Sequence, residues 1–276
     1  MMKTFIVPTD FSVSAKSATS YAAGLVKDLG QTRILLYTVY DNIETGIDSS
    51  VVYNDHGARK TIMDLALENT RKEMLEIAPG ADIECRSEEA ASFLESLERL
   101  VNRESASLII MGITGTSAVQ QVVIGSNTLK IAARNVCPVL IVPPDATFQP
   151  VHNVAYTADF VDIDTTTPTA PLREMLGLFK PFIHVVHVDK DPVEISTAYK
   201  TEQEKLDKLL EGFDTEYYSI QQDDYVDAIN QFVGDYSIDM IFTVPKNHSF
   251  PGNLFSASHA RKLAYHSRVP IMAIHE

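Results

Sequence analysis

Short apolar runs alternate with longer amphipathic segments along the first half of the chain. FIVP (5–8), ILLYTV (34–39), DIECRS (82–87), LIIMG (108–112) and PVLIV (138–142) have strand length and are bounded by turn-forming residues, so they predict five β-strands. Between them, 12–29, 58–77, 90–103 and 125–135 carry apolar residues three and four apart with charges in between, the spacing that puts one face of a helix against a core. Ser12 or Ser14 caps the first of these helices and Gly30 stops it. Residues 41–57, rich in Gly, Asn, Asp and Ser, read as a loop. Strands alternating with helices predict an α/β fold, an open parallel sheet covered by helices.

The pattern then repeats. KTFIVPTDF (3–11) matches HNVAYTADF (152–160) without gaps, pairing Asp10 with Asp159 and Phe11 with Phe160. The same offset lays LLYTVY (35–40) on HVVHVD (184–189), so Val39 faces Val188. Further on, a smaller offset pairs SLIIMG (107–112) with DMIFTV (239–244) and NVCPVLIV (135–142) with SRVPIMAI (267–274). The second copy is therefore shorter, and the loop at 41–57 is where the extra length of the first copy belongs. Pro-containing PDATFQP (144–150) separates the copies. Two domains are expected, 1–145 and 150–276, each an open five-stranded Rossmann-like sandwich.

Composition narrows the function classes. With 276 residues, 45% hydrophobic and 22% charged, at a mean hydropathy of −0.03, the chain builds ordinary globular cores. Its net charge of −14 opposes the basic surface that nucleic-acid binding needs. No apolar run is long enough for a membrane-spanning helix, and MMKTFIVPTDFS is no secretion signal. Cys85 and Cys137 form neither a C-x-x-C pair nor a disulfide framework, which fits a reducing cytoplasm.

Candidate chemistry lies where the strands end. Open parallel sheets bind ligands beyond their carboxyl ends, where helix N-termini point free N–H groups outward. The first strand ends in Pro8-Thr9-Asp10, the second at Val39 and the fourth at Met111-Gly112. From there the spacing is Gly112-x2-Gly115-x9-Gly125-Ser126, followed by Asn127 and Thr128. Small residues let a backbone approach a ligand, and a Gly-Ser pair opening a helix offers N–H donors and a hydroxyl, which suits phosphates.

With these residues the chain resembles, over nearly its whole length, a tandem universal stress protein. G-x2-G-x9-G-[ST] is the signature of that family's ATP-binding members, and PTDFS with an LLxxV strand end accompanies it. The resemblance implies that Asp10 and Val39 flank adenine and ribose, and that Gly112, Gly115, Gly125 and Ser126 cradle ribose and phosphates. Pro8, Thr9, Met111, Asn127 and Thr128 would line the cleft. Without a G-x4-G-K-[ST] run, the site is not a P-loop. Residues 104–129 hold no Lys or Arg, so phosphate charge would rest on backbone N–H groups, Ser126, the helix dipole and Mg²⁺. The resemblance also implies that PVLIVP (138–143) and PIMAIH (270–275) pair edge to edge, making the chain an internal pseudo-dimer and leaving a homodimer of whole chains open.

The second copy departs from the motif. Val244, Asn247 and Ala257 stand where the three glycines are, and only Ser258 matches Ser126. Residues 1–145 carry 13 basic and 18 acidic side chains, against 10 and 19 in 146–276, so a polyanion favours the first half. The histidines give no metal site: strand alternation sends His184 and His187 to opposite faces, and His259 and His266 are seven apart. Cys137 reads as a small buried hydrophobe. No catalytic constellation assembles. The expected function is an ATP-binding stress-response module with an unidentified protein partner, the second domain being structural. The alternatives are a nucleotide-independent interaction scaffold, and a slow ATPase or self-phosphorylating protein acting through Ser126.

Overall fold

The computed structural model describes residues 2–41, 56–113, 126–134, 136–144, 146–190, 197–245, 263 and 266–274. The first half runs β1 (Lys3–Pro8), α1 (Val13–Leu29), β2 (Thr32–Tyr40), α2 (His56–Ile77), β3 (Asp82–Glu89), α3 (Phe93–Glu104), β4 (Leu108–Gly112), α4 (Ser126–Ala132) and β5 (Val139–Val142). The second half runs β6 (Asn153–Thr157), α5 (Ile163–Thr166), α6 (Thr169–Phe179), β7 (Phe182–Asp189), α7 (Thr197–Leu209), β8 (Thr215–Gln221), α8 (Tyr225–Asp235), β9 (Met240–Thr243) and β10 (Ile271–Ala273).

The ten strands among the described residues form one sheet, in the order β3-β2-β1-β4-β5-β10-β9-β6-β7-β8. Within each half the pairing is parallel, and the halves join through the antiparallel pair β5·β10, with Ile271 opposite Ile141 and Ala273 opposite Val139. Each half therefore repeats one strand order, and the two five-stranded sheets expected from the sequence join through the edge pairing that the resemblance implies for 138–143 and 270–275. Neither β5 nor β10 is left as an open edge.

Alternation along the strands divides the core in two. Phe5, Val7, Ile34, Leu36, Leu108 and Ile110 face α1 and α2, while Ile6, Leu35, Ile109 and Met111 face α3 and Ile131 of α4. The second half repeats the division, with Val154, Val185 and Phe242 under α6 and α7, and Ala155, Val186 and Ile241 under α8. These strands are buried on both faces, which is why they read as continuous apolar runs. His184 and His187 do point to opposite faces: His184 packs against Phe232 and Tyr236 of the α8 side, and His187 against Phe160 and Tyr199.

Helix ends follow local chemistry. Ser12 is the N-cap of α1, its Oγ accepting from Ala15 N, and Gly30 at φ 61° closes the helix by donating to Val26 O. α2 begins at His56, so the end of the expected loop is helical, while 42–55 lie outside the described residues. α4 stops at Ala132, short of the 135 expected from periodicity.

Candidate functional site

β1 pairs with β2 on one side and β4 on the other, so the chain's crossover direction reverses between β1 and β4. At such a point the connections leave in opposite directions and a crevice opens beyond the carboxyl ends. Two sequence-predicted segments, Pro8-Thr9-Asp10 and Met111-Gly112, end the strands that form it.

The turn after β1 is built from its own side chains. Thr9 is buried and donates its N–H to Tyr37 O at 2.8 Å. Thr9 Oγ1 accepts from Phe11 N (3.0 Å), and Asp10 Oδ1 accepts from Ser12 N (3.0 Å). These bonds hold Phe11 at φ 62° and leave Asp10 exposed at the rim. The second half repeats the device, with Asp159 Oδ1 accepting from Val161 N and Phe160 at φ 51°. Asp10 thus shapes the turn while Ser12 caps the helix, and the Asp10 side chain is exposed.

The end of β4 is more crowded. A Cβ built on Gly112 would lie 2.0 Å from Ser14 O and 2.5 Å from Ser14 C, so this glycine lets the first turn of α1 close on the sheet. Its carbonyl accepts from the buried Thr128 hydroxyl at 2.8 Å, which ties α4 to the strand end. Met111 is buried in the α3-side core, Val39 packs partly buried on the same side, and Asn127 is exposed in the first turn of α4. Ser126 opens α4. Gly115 and Gly125 lie outside the described residues, as do Asn247, Ala257 and Ser258 of the second copy.

Beside Val39 stands a polar cluster that the sequence did not single out. Glu88 is opposite Val39 in register and takes hydrogen bonds from Tyr37 Oη and Arg99 Nη2, both 2.8 Å. Arg99 also reaches Ser96 Oγ at 2.9 Å. Although burial opposes it, the bonds from Tyr37, Arg99 and Ser96 hold the Glu88 carboxyl below its ordinary range, while burial and then Glu88 push the Tyr37 phenol up. The even-numbered charges of DIECRSEE were the available signal, since alternation puts Glu84, Arg86 and Glu88 on the face that α3 covers.

The strand ends thus bring together an exposed carboxylate at Asp10, the partly buried Val39, the buried Met111 and the buried Thr9. Residues 8–12, 38–41, 112–113 and 126–128 contain no Lys or Arg. Arg134 is paired with Glu98 (3.0 Å) and Lys16 with Glu73 (2.9 Å). Among the described residues no three His, Cys, Asp or Glu converge as a metal site. Mg²⁺ carried on phosphates needs no such cage. Burial pushes the Cys137 thiol up to about 12 and, as the first cause, that of Cys85 up to about 11, so both stay protonated and unreactive at neutral pH.

In the second half Val244 replaces Gly112, and the counterpart of α1 is broken into α5 and α6 at Thr167-Pro168. Both changes remove the close contact between a helix turn and the strand end that Gly112 permits.

The fold and the reversal in strand order define a doubly wound α/β protein. The universal stress protein family model matches residues 1–143, more than half of the sequence, and the chain belongs to that family. Its fold is similar over 100% of its length to a universal stress protein from Archaeoglobus fulgidus DSM 4304, covering 99% of that chain at TM-score 0.72 and 17% identity. A putative universal stress protein from Pseudomonas aeruginosa UCBPP-PA14 is similar over 99% of this chain and 93% of its own, at TM-score 0.60 and 15% identity. The α/β fold repeated in two lobes is thus shared by whole chains. Among proteins with curated descriptions, none matches the sequence significantly. Among the described residues, no helix is long and apolar enough to cross a membrane.

Proposed function

We propose that the first lobe, residues 1–145, binds ATP at the crevice over β1 and β4, with Mg²⁺ carried on the phosphates. The protein then acts as a nucleotide-responsive module of the stress response, its occupied site altering a surface read by a protein partner. The second lobe, 150–276, serves as its pseudo-dimer partner. The observation that supports this reading is that Asp10 lies just beyond β1 and Met111-Gly112 ends β4, the two strands that flank the reversal in strand order.

Asp10 would accept hydrogen bonds from ribose hydroxyls, and Val39, Pro8 and Met111 would line the base. Backbone N–H groups through Gly115, Gly125 and Ser126 would face the phosphates, with Thr9, Asn127 and Thr128 shaping the wall. Thr128 contributes through Gly112, whose carbonyl it holds. When bound, Mg²⁺ supplies positive charge that residues 104–129 lack. Calorimetry tests the reading: Asp10→Ala should weaken Mg-ATP binding about tenfold, as for one hydrogen bond to a charged group. AMP binding as tightly as Mg-ATP would contradict the triphosphate assignment.

A second reading draws support from Gly112 itself. Its missing side chain is required by Ser14 whether or not a ligand binds, which favours an interaction scaffold that keeps this glycine for folding. An unaltered protein that takes up no nucleotide would favour it.

A further inference from the structure

The connector closes the junction between the lobes. Ser17 Oγ donates to Pro144 O at 2.5 Å, and Phe148 meets Tyr21 edge-on at 5.3 Å between ring centroids. Beside this strap a cleft of about 200 Å³ opens between α1, Ala146 and Thr147 of the connector, and the amino-terminal ends of β9 and β10. It lies at the end of those strands opposite the second lobe's own crevice.

Three polar groups on this cleft are incompletely used. Tyr21 is only 2% exposed, and its hydroxyl makes no hydrogen bond among the described residues. Arg33 Nε is the sole fully buried side-chain nitrogen or oxygen without a partner among the described residues, so the Tyr21 oxygen is not wholly sealed, and Tyr21 lines the cleft. A tyrosine this enclosed ordinarily has a partner. Arg268 makes no ion pair or hydrogen bond among the described residues, in a chain with 37 acidic side chains against 23 basic ones. Asp239 spends Oδ2 on the N–H groups of His152 (2.8 Å) and Asn153 (2.9 Å) without coming within ion-pairing distance of Arg268. Opposite charges thus border one hollow and do not meet.

We propose that this junction cleft binds a small zwitterion of the α-amino-acid class, its carboxylate on Arg268 and the Tyr21 hydroxyl, its ammonium on Asp239. A lone anion would be attracted by Arg268 and repelled by Asp239, and a lone cation the reverse; a zwitterion satisfies both ends. At the roughly 30 Å³ that one water occupies in the liquid, the hollow equals about six or seven waters, enough for alanine or serine. Burial, and after it the field of Asp239, holds the Tyr21 phenol protonated, so it donates at neutral pH. Because the cleft is bordered by α1, the connector and the second lobe, a bound ligand would also strengthen lobe docking. The site is separate from the nucleotide crevice and does not rest on that reading.

Calorimetric titration of the full chain with L-alanine tests this, using acetate and ethylammonium as single-charge probes. L-alanine should bind at about millimolar or tighter. Tyr21→Phe and Arg268→Gln should each weaken it about tenfold, the effect of losing one hydrogen bond to a charged group. Tyr21→Phe removes no native bond, so the melting temperature without ligand should stay within about 1 °C, and a loss of binding then reports the site rather than the fold. No binding at ~10 mM L-alanine, or undiminished binding in either variant, would overturn the proposal. Acetate or ethylammonium binding as tightly as L-alanine would likewise overturn it.

Discussion

Gly112 and Ser14 are in contact through backbone alone: a Cβ on the glycine would lie 2.0 Å from the serine carbonyl oxygen. The end of β4 and the first turn of α1 therefore close on each other only because position 112 has no side chain. Gly112→Ala should destabilise the protein by about 1–3 kcal/mol or more, as overpacking does when backbone must give way. Urea denaturation in the absence of nucleotide checks this; an unchanged midpoint would mean that Gly112 is not needed for packing.

The connector should act as a strap. A Cβ on Gly24 would come within 2.6 Å of Phe148 Cβ, and Phe148 packs on the α1-side core with Ala146 and Val151. Phe148 is partly exposed, so Phe148→Ala should cost about 1–3 kcal/mol, less than the 3–5 of a fully buried phenylalanine. Gly24→Val should also destabilise, since Phe148 must then leave its seat. If both variants melted like the parent protein, the connector would be a passive linker.

Two groups give stability opposite ends of an acid limb. Glu104 is held at about 2, first by its bond to Arg86 and then, against burial, by Arg33, in a network that also includes Glu84 and Arg103. A carboxyl lowered by folding contributes stability that is complete above its ordinary 4.5 and is lost as pH falls towards 2. His184 is shifted down by burial, with Glu216 opposing, so the unfolded chain takes up its proton first as pH falls below the ordinary 6.5. Melting temperatures should therefore begin to fall below about pH 6.5 and fall again below about 4.5. Glu104→Gln should flatten the lower step and His184→Gln the upper one.

Much of this architecture is legible in residue order, because double burial writes each central strand as an apolar run and the repeat writes it twice. The Asp10 and Asp159 turns were visible as an aligned pair, and their identical hydrogen bonds explain the match. What sequence could not supply depends on contacts far apart in the chain. Nothing around Gly112 shows that Ser14 presses on it, and nothing in PDATFQP shows that Phe148 seats on Gly24. The Tyr37–Glu88–Arg99 cluster joins β2, β3 and α3, and so emerges only when the strands are in register. The cleft between Tyr21, Asp239 and Arg268 forms only where the two lobes meet.

Native mass spectrometry of the freshly purified full chain, followed by titration with Mg-ATP, tests the central claim most directly. The proposed function predicts one adenine nucleotide per chain, lost in Gly125→Val while the melting temperature of that variant without ligand is retained. A chain that stays free of nucleotide at about millimolar ATP, or that holds two, would contradict a single site in the first lobe.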